Sequence, residues 1–170
     1  MNRDSSTDPG DREMEGHISV ETSLKWLEGL SKGMIGEELE TITMEGLKVV
    51  QAQKGFIRCH FLVPNSVADK EGNWHVGAMA TLIDTIGAAA VLSLIGLINI
   101  SVQLNISYYS APKIQEEVEI EAKVMAEKEI LTSVVVEVRQ KDNGKLIALG
   151  KQWMTTRSTS KIKLSEKSKL

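Results

Sequence analysis

Two hydrophobic periods divide the chain. From Gly77 to Ile100 the residues are almost all apolar, and Asp84 is the single charge among them. That run has the length of a long helix. Around it, apolar and polar residues alternate with a period of two, the signature of half-buried strands. In Phe56–Val63, Ile57, Cys59, Phe61 and Val63 share one face, with Arg58 and His60 on the other. In Ile100–Tyr109, Ile100, Val102, Leu104, Ile106 and Tyr108 alternate with Ser101, Gln103, Asn105 and Ser107. Glu117–Val124 repeats the pattern with charges outside, and Leu131–Arg139 places Val134, Val136 and Val138 on one side. Asp142-Asn143-Gly144 is a tight-hairpin signal, and Lys145–Thr155 is the returning strand.

Upstream, Ser19–Leu30 predicts a short amphipathic helix, with Leu24, Leu27 and Leu30 at three-residue spacing beside Trp26. Gly33 and Gly36 end it, and a first strand is expected near Leu39–Val50. The predicted order is therefore helix, two strands, long apolar helix, four strands. Strands apolar on one side imply an antiparallel sheet with one covered face. The helix carrying Asp84 is the element large enough to cover it. The class is α+β.

The run of about 24 residues is long enough to span a bilayer. Asp84 in its interior, the interruptions at Gly87 and Gly96, and the lack of a flanking basic cluster argue instead for a core helix and no membrane span.

Composition narrows the function. The chain has 170 residues and a net charge of -3, with no basic patch that would suit nucleic acid. Cys59 is the only cysteine, which excludes an internal disulfide framework. His17, His60 and His75 are well separated in the sequence, and no metal-ligand spacing appears. Residues 1–18 read as a mobile polar tail, 19–156 as one domain, and 157–170 as a flexible C-terminal tail. That tail ends in Ser168-Lys169-Leu170, the address peroxisomal import receptors read at a free C-terminus. A peroxisomal location is expected, or a cytoplasmic one where the address is not used.

The chemistry centres on Asp84. A carboxylate in apolar surroundings is unfavourable to bury and usually has a task. His75-Val76-Gly77 stands at the start of the same helix, where free backbone N–H groups can hold a developing negative charge. The pairing suggests hydrolysis of an activated acyl group. Gly77, Ala80, Thr81, Asp84, Gly87, Ala88 and Val91 form a stripe of mostly small residues. Met79, Leu82, Ile83 and Ile86 lie elsewhere and suit packing on the sheet. The small stripe leaves room for a flat ligand or another backbone near Asp84. Val76 and Asp84 lie eight positions apart, about 12 Å along a helix. One thioester carbonyl cannot touch both within one chain, so a homodimer with two shared sites is expected.

His75-Val-Gly-Ala-Met-Ala-Thr-Leu-Ile-Asp84 resembles the His-Gly-Gly…Asp motif of hotdog-fold acyl-CoA thioesterases of the PaaI-like and thioesterase superfamily member two type. Ser101–Lys113 resembles that family's Ser-Val-Asp-Leu-Asn-Ile-Ser-Tyr strand, and Asp142–Gly150 its last hairpin. The likeness runs in order from about Leu39 to Met154. It implies a hotdog fold, an antiparallel sheet wrapped around a long central helix. It implies an acyl-CoA substrate, with coenzyme A part of that substrate and no separate cofactor or metal, a place in lipid metabolism, and a dimer of dimers, a homotetramer.

The resemblance also assigns roles. Asp84 is general base or nucleophile, and the amide after His75, here on Val76 and not the usual glycine, polarises the carbonyl with Gly77 beside it. Ser101 places water or the carboxylate. Tyr108 faces the substrate. Apart from the resemblance, Thr81 on the small stripe and Lys113 are substrate-binding candidates, Lys113 either meeting coenzyme A phosphates or standing as solvated surface. His75 either transfers a proton or positions the start of the helix. Two further positions depart from the pattern. Gln103 replaces an aspartate, and Asp69 stands where the family carries an asparagine, so Asn73 or Asn65 can take that place. Two other readings remain on this fold: a hydratase or dehydratase, and an acyl-CoA-binding module without catalysis.

Overall fold

The computed structural model describes residues 9–97 and 99–156. Its elements are α1 (Pro9–Ser31), α2 (Glu38–Met44), β1 (Lys48–Gln53), β2 (Phe56–Leu62), a 3-10 turn (Asn65–Val67), α3 (Val76–Ile95), β3 (Asn99–Tyr108), β4 (Glu117–Lys128), β5 (Leu131–Gln140) and β6 (Leu146–Thr156). The six strands form one antiparallel sheet in the order β1-β2-β4-β5-β6-β3. This is the hotdog arrangement, with α3 as its central helix.

The alternating strands turn their apolar faces onto α3. Ile57, Cys59 and Phe61 of β2, Val118, Ile120 and Ala122 of β4, and Val134, Val136 and Val138 of β5 are all buried. They meet Met79, Leu82, Ile83 and Ile86 of α3, also buried, as the helical wheel requires. Gly150 of β6 makes this contact possible: a Cβ there would sit 2.5 Å from Ile83 Cγ2. Outside, Arg58 pairs with Glu121, and His60 Nε2 lies 3.2 Å from Glu119 Oε2, across β2 and β4. Although α3 is long and apolar enough to cross a membrane, two thirds of its apolar window is buried in the fold.

Three elements differ from the sequence expectation. First, α1 begins at Pro9, where a mobile tail is expected as far as residue 18. Proline is compatible with a first helical position because its missing N–H has no intrahelical partner to lose. Second, much of the stretch expected as a first strand near Leu39–Val50 is the helix α2, and the strand begins only at Lys48. The β-branched Thr41, Ile42 and Thr43 suggest a strand, but Glu37 N–H donates to Glu40 Oε2 at 3.1 Å and nucleates a helical turn. Third, β3 does not keep one face throughout. A bulge between Ser101 and Gln103 in its pairing with β6 shifts the register. Ser101 therefore reaches α3, while Ile100 and Val102 are exposed and Ile106 packs against the core. The tail 157–170, with Ser168, Lys169 and Leu170, lies outside the described residues.

Candidate active site

Asp84 sits midway along α3, half-buried beneath β3 and β6. Ser101 Oγ donates to its Oδ1 at 2.6 Å. Gln152 Nε2 donates to the same Oδ1 and lies 2.7 Å from Ser101 Oγ. The three side chains form a closed triangle drawn from three elements. Charge-assisted bonds of this kind are stronger than neutral ones and fix the carboxylate's orientation. Both donors converge on one oxygen. Oδ2 has no hydrogen-bond partner among the described residues, and Asp84 borders a cavity of about 470 Å³. Trp26, Ala88, Leu92, Ile100 and Met154 supply its apolar wall, with Ser101 beside the carboxylate.

Gln152 is the residue the sequence reading did not single out. It is only 1% exposed. Its signal was present: along β6 the buried positions Ala148, Gly150, Gln152 and Met154 share one face, and a glutamine there is a polar break in an apolar row. Gly87 makes room for it, since a Cβ at that position would collide with Gln152 Oε1. The small stripe therefore has two functions. Gly77, Ala80, Thr81, Asp84 and Ala88 remain partly or fully accessible, whereas Gly87 and Val91 are buried against the fold.

A second group gathers at the start of α3. His75 is the N-cap, and Gly77 N–H donates to its Nδ1 at 3.0 Å. The Gly77 amide is thus occupied within the chain. Val76, the first helical residue and 55% exposed, contributes an N–H with no intrahelical acceptor. Tyr108 OH donates to Val76 O at 3.2 Å and ties the end of β3 to the helix start. Partial burial raises that phenol above its ordinary pKa. Thr81 Oγ1 donates back to Gly77 O at 3.0 Å, a bond internal to the helix.

Asn73 and Lys113 belong to the loop before α3. Asn73 Nδ2 donates to Asp69 Oδ2 at 3.2 Å and to Glu71 Oε2 at 3.4 Å. The backbone amides of Glu71 and Asn73 both donate to Asp69 Oδ1 at 2.8 Å, and these bonds hold the Asp69 carboxyl below its usual range. Lys113 Nζ donates to Glu71 O at 3.1 Å, and Lys113 pairs with Asn73 through a backbone bridge. Asn65, the other asparagine considered, accepts from Gln115 Nε2 at 3.3 Å. Within one chain, then, the candidate residues fall into two groups: Asp84, Ser101 and Gln152 at mid-helix, and His75, Val76, Gly77, Tyr108, Asn73 and Lys113 at its start. About 12 Å of helix separates them.

The thioesterase superfamily matches residues 71–147, the segment from the loop before α3 into β6. The chain is 34% identical over 109 residues to acyl-coenzyme A thioesterase 13 of Mus musculus, covering 64% of this chain and 78% of that one. Zebrafish thioesterase superfamily member 2 superposes with a TM-score of 0.70 at 29% identity, covering 75% of this chain and 94% of that one. The E. coli PaaI protein shares the fold, with a TM-score of 0.66 at 16% identity over 82% of this chain and 97% of its own.

Proposed function

Because the chain belongs to the thioesterase superfamily and is an acyl-CoA thioesterase, we propose that Asp84 of one subunit and the Val76 amide of a second subunit together hydrolyse the thioester. In this reading Asp84 Oδ2 takes a proton from water, and the resulting hydroxide attacks the carbonyl carbon. The oxygen of the tetrahedral intermediate accepts the Val76 N–H across the interface. The C–S bond then breaks, and the proton held by Asp84 passes to the departing thiolate, giving free acid and coenzyme A. Direct attack by Oδ2, followed by hydrolysis of the mixed anhydride, uses the same geometry.

One feature carries this reading. Ser101 and Gln152 hold Asp84 through Oδ1, leaving Oδ2 without a partner among the described residues beside a largely apolar cavity. His75 positions the helix start as its N-cap, and Tyr108 holds the same turn through Val76 O. The dimer is supported by β3, an edge strand ten residues long that exposes Ile100, Val102, Leu104 and Tyr108. An apolar edge of that length is a template for pairing with a second copy. Association of two such dimers into a tetramer follows as a further step.

The direct test is thiol release from short, long and aromatic acyl-CoAs by the native protein and Asp84→Asn. Loss of a general base typically costs about a hundredfold to ten-thousandfold, and kcat should fall by that much with acyl-CoA binding retained. Full activity in the variant would remove Asp84 from the mechanism. Enoyl-CoA turnover without acid release would point to a hydratase, and binding without turnover to a carrier.

The C-terminal Ser168-Lys169-Leu170 supports a peroxisomal location, delivered by an import receptor. Deleting these three residues should leave a fluorescent fusion in the cytosol. Continued import without them would contradict the address.

A further inference from the structure

The cavity beside Asp84 carries information about the acyl group itself. It runs from the Asp84–Ser101 pair past Ala88 and Leu92 of α3 toward Trp26 of α1 and Glu40 of α2. Its volume, about 470 Å³, lies within the usual range for small-molecule sites. A carbonyl carbon placed at Asp84 would send the rest of its acyl chain along this apolar wall.

Glu40 is the unusual member of that lining. Its side chain is half-buried and is not free to swing away, because Oε2 accepts the Glu37 N–H at the first turn of α2. No lysine, arginine or histidine lines the cavity among the described residues. Glu40 has no ion-pair partner among them either. The charged side chains around the cavity are thus two carboxylates, Asp84 at the reacting end and Glu40 on the wall.

We propose that this cavity receives the acyl group and that Glu40 is a specificity-determining residue, selecting neutral aliphatic or aryl acyl groups and refusing those that end in a carboxylate. The chemistry of hydrolysis rests on the reading given above; the binding preference rests on the cavity. Two costs fall on an acidic acyl terminus. It must leave water for a largely apolar wall, and it must approach a like charge that the Glu37 N–H holds in place. A neutral terminus meets neither cost. A site that places a like charge against the wrong ligand gains discrimination without new contacts to the right one.

Hexanoyl-CoA and adipoyl-CoA isolate the effect, since they share a six-carbon acyl chain and differ only in a terminal methyl or carboxylate. The measured quantity is the ratio of their kcat/KM values in the native protein and in Glu40→Gln. Glutamine keeps an oxygen for the Glu37 amide, so the helix start is preserved. The native protein should favour hexanoyl-CoA by about a hundredfold, and Glu40→Gln should narrow that ratio at least about tenfold by removing one like charge. Comparable turnover of the two substrates by the native protein, or a ratio the variant leaves unchanged, would overturn the assignment. Calorimetric binding of non-hydrolysable thioether analogues of the same pair reads the preference without turnover. A binding preference that narrows in Glu40→Gln, with no thiol released from any thioester, would sink the hydrolytic reading and sustain the cavity assignment. Equal binding of the two analogues would overturn the cavity assignment alone.

Discussion

At the scale of single residues, a carboxylate inside an apolar helix needs a donor that cannot leave, and Gln152 is placed to be one. Its amide is buried, lies against both Asp84 and Ser101, and occupies space that Gly87 leaves open. Gln152→Leu keeps an apolar fit of similar length but removes the donor. Hydrogen bonds to charged groups contribute about 1.5–3 kcal/mol, so kcat should fall roughly tenfold to a hundredfold. KM should move much less, because the substrate does not touch the amide. An unchanged kcat would show that Ser101 alone orients Asp84. Asp84, Ser101 and the helix start were legible in the sequence because each belongs to a contiguous motif. Gln152 shows in the sequence only as a polar break in an apolar row, because its partners lie 51 and 68 positions away and only the folded register brings them together. Asn73 illustrates the converse. Its nearness to His75 in sequence suggested a place in the site, yet its amide is turned to Asp69 and Glu71, where it closes the loop.

At the scale of elements, strands with a clean period of two were read correctly, and those where local bonds override the pattern were not. β2 is the clean case. Cys59 falls on its buried face as alternation requires, and burial pushes its thiol from an ordinary 9.0 up to about 12. The consequence for stability has a definite sign. Below about pH 9 the thiol is protonated in both states and contributes no pH dependence. Between about 9 and 12 the unfolded chain releases a proton that the folded chain keeps. Stability should therefore fall through that window, by about 1.4 kcal/mol per pH unit from this group at most. Denaturant melts at increasing alkaline pH would show a shallower decline for Cys59→Ala than for the native chain. Equal slopes would mean the thiolate is tolerated in the fold. α2 and β3 are the harder cases. In α2 a single backbone-to-Glu40 bond outweighs three β-branched residues, and in β3 one bulge reverses the face that alternation assigns. Neither is visible in the hydrophobic pattern, because each depends on one hydrogen bond or one unpaired residue.

At the scale of the molecule, the single chain divides its chemistry between two places. Asp84 with its donors lies at mid-helix, and the open Val76 amide lies at the helix start. A two-fold pair of chains with antiparallel α3 helices would bring each Asp84 to the other chain's Val76 and build two equal sites. This shared site is the central claim, and mixing two inactive variants tests it. Val76→Pro removes the amide hydrogen at a position that accepts proline, since Val76 is the first helical residue and His75 before it is already extended, with φ -60 and ψ 126. Asp84→Asn removes the acid. Each variant alone should release almost no thiol. Co-refolded in equal amounts, half of the dimers should be mixed, and one of the two sites in each should combine Asp84 with an intact Val76 amide. The mixture should then recover about a quarter of native activity. A mixture as inactive as its parents, with mixed dimers demonstrated by mass, would contradict the shared site and place both groups on one chain.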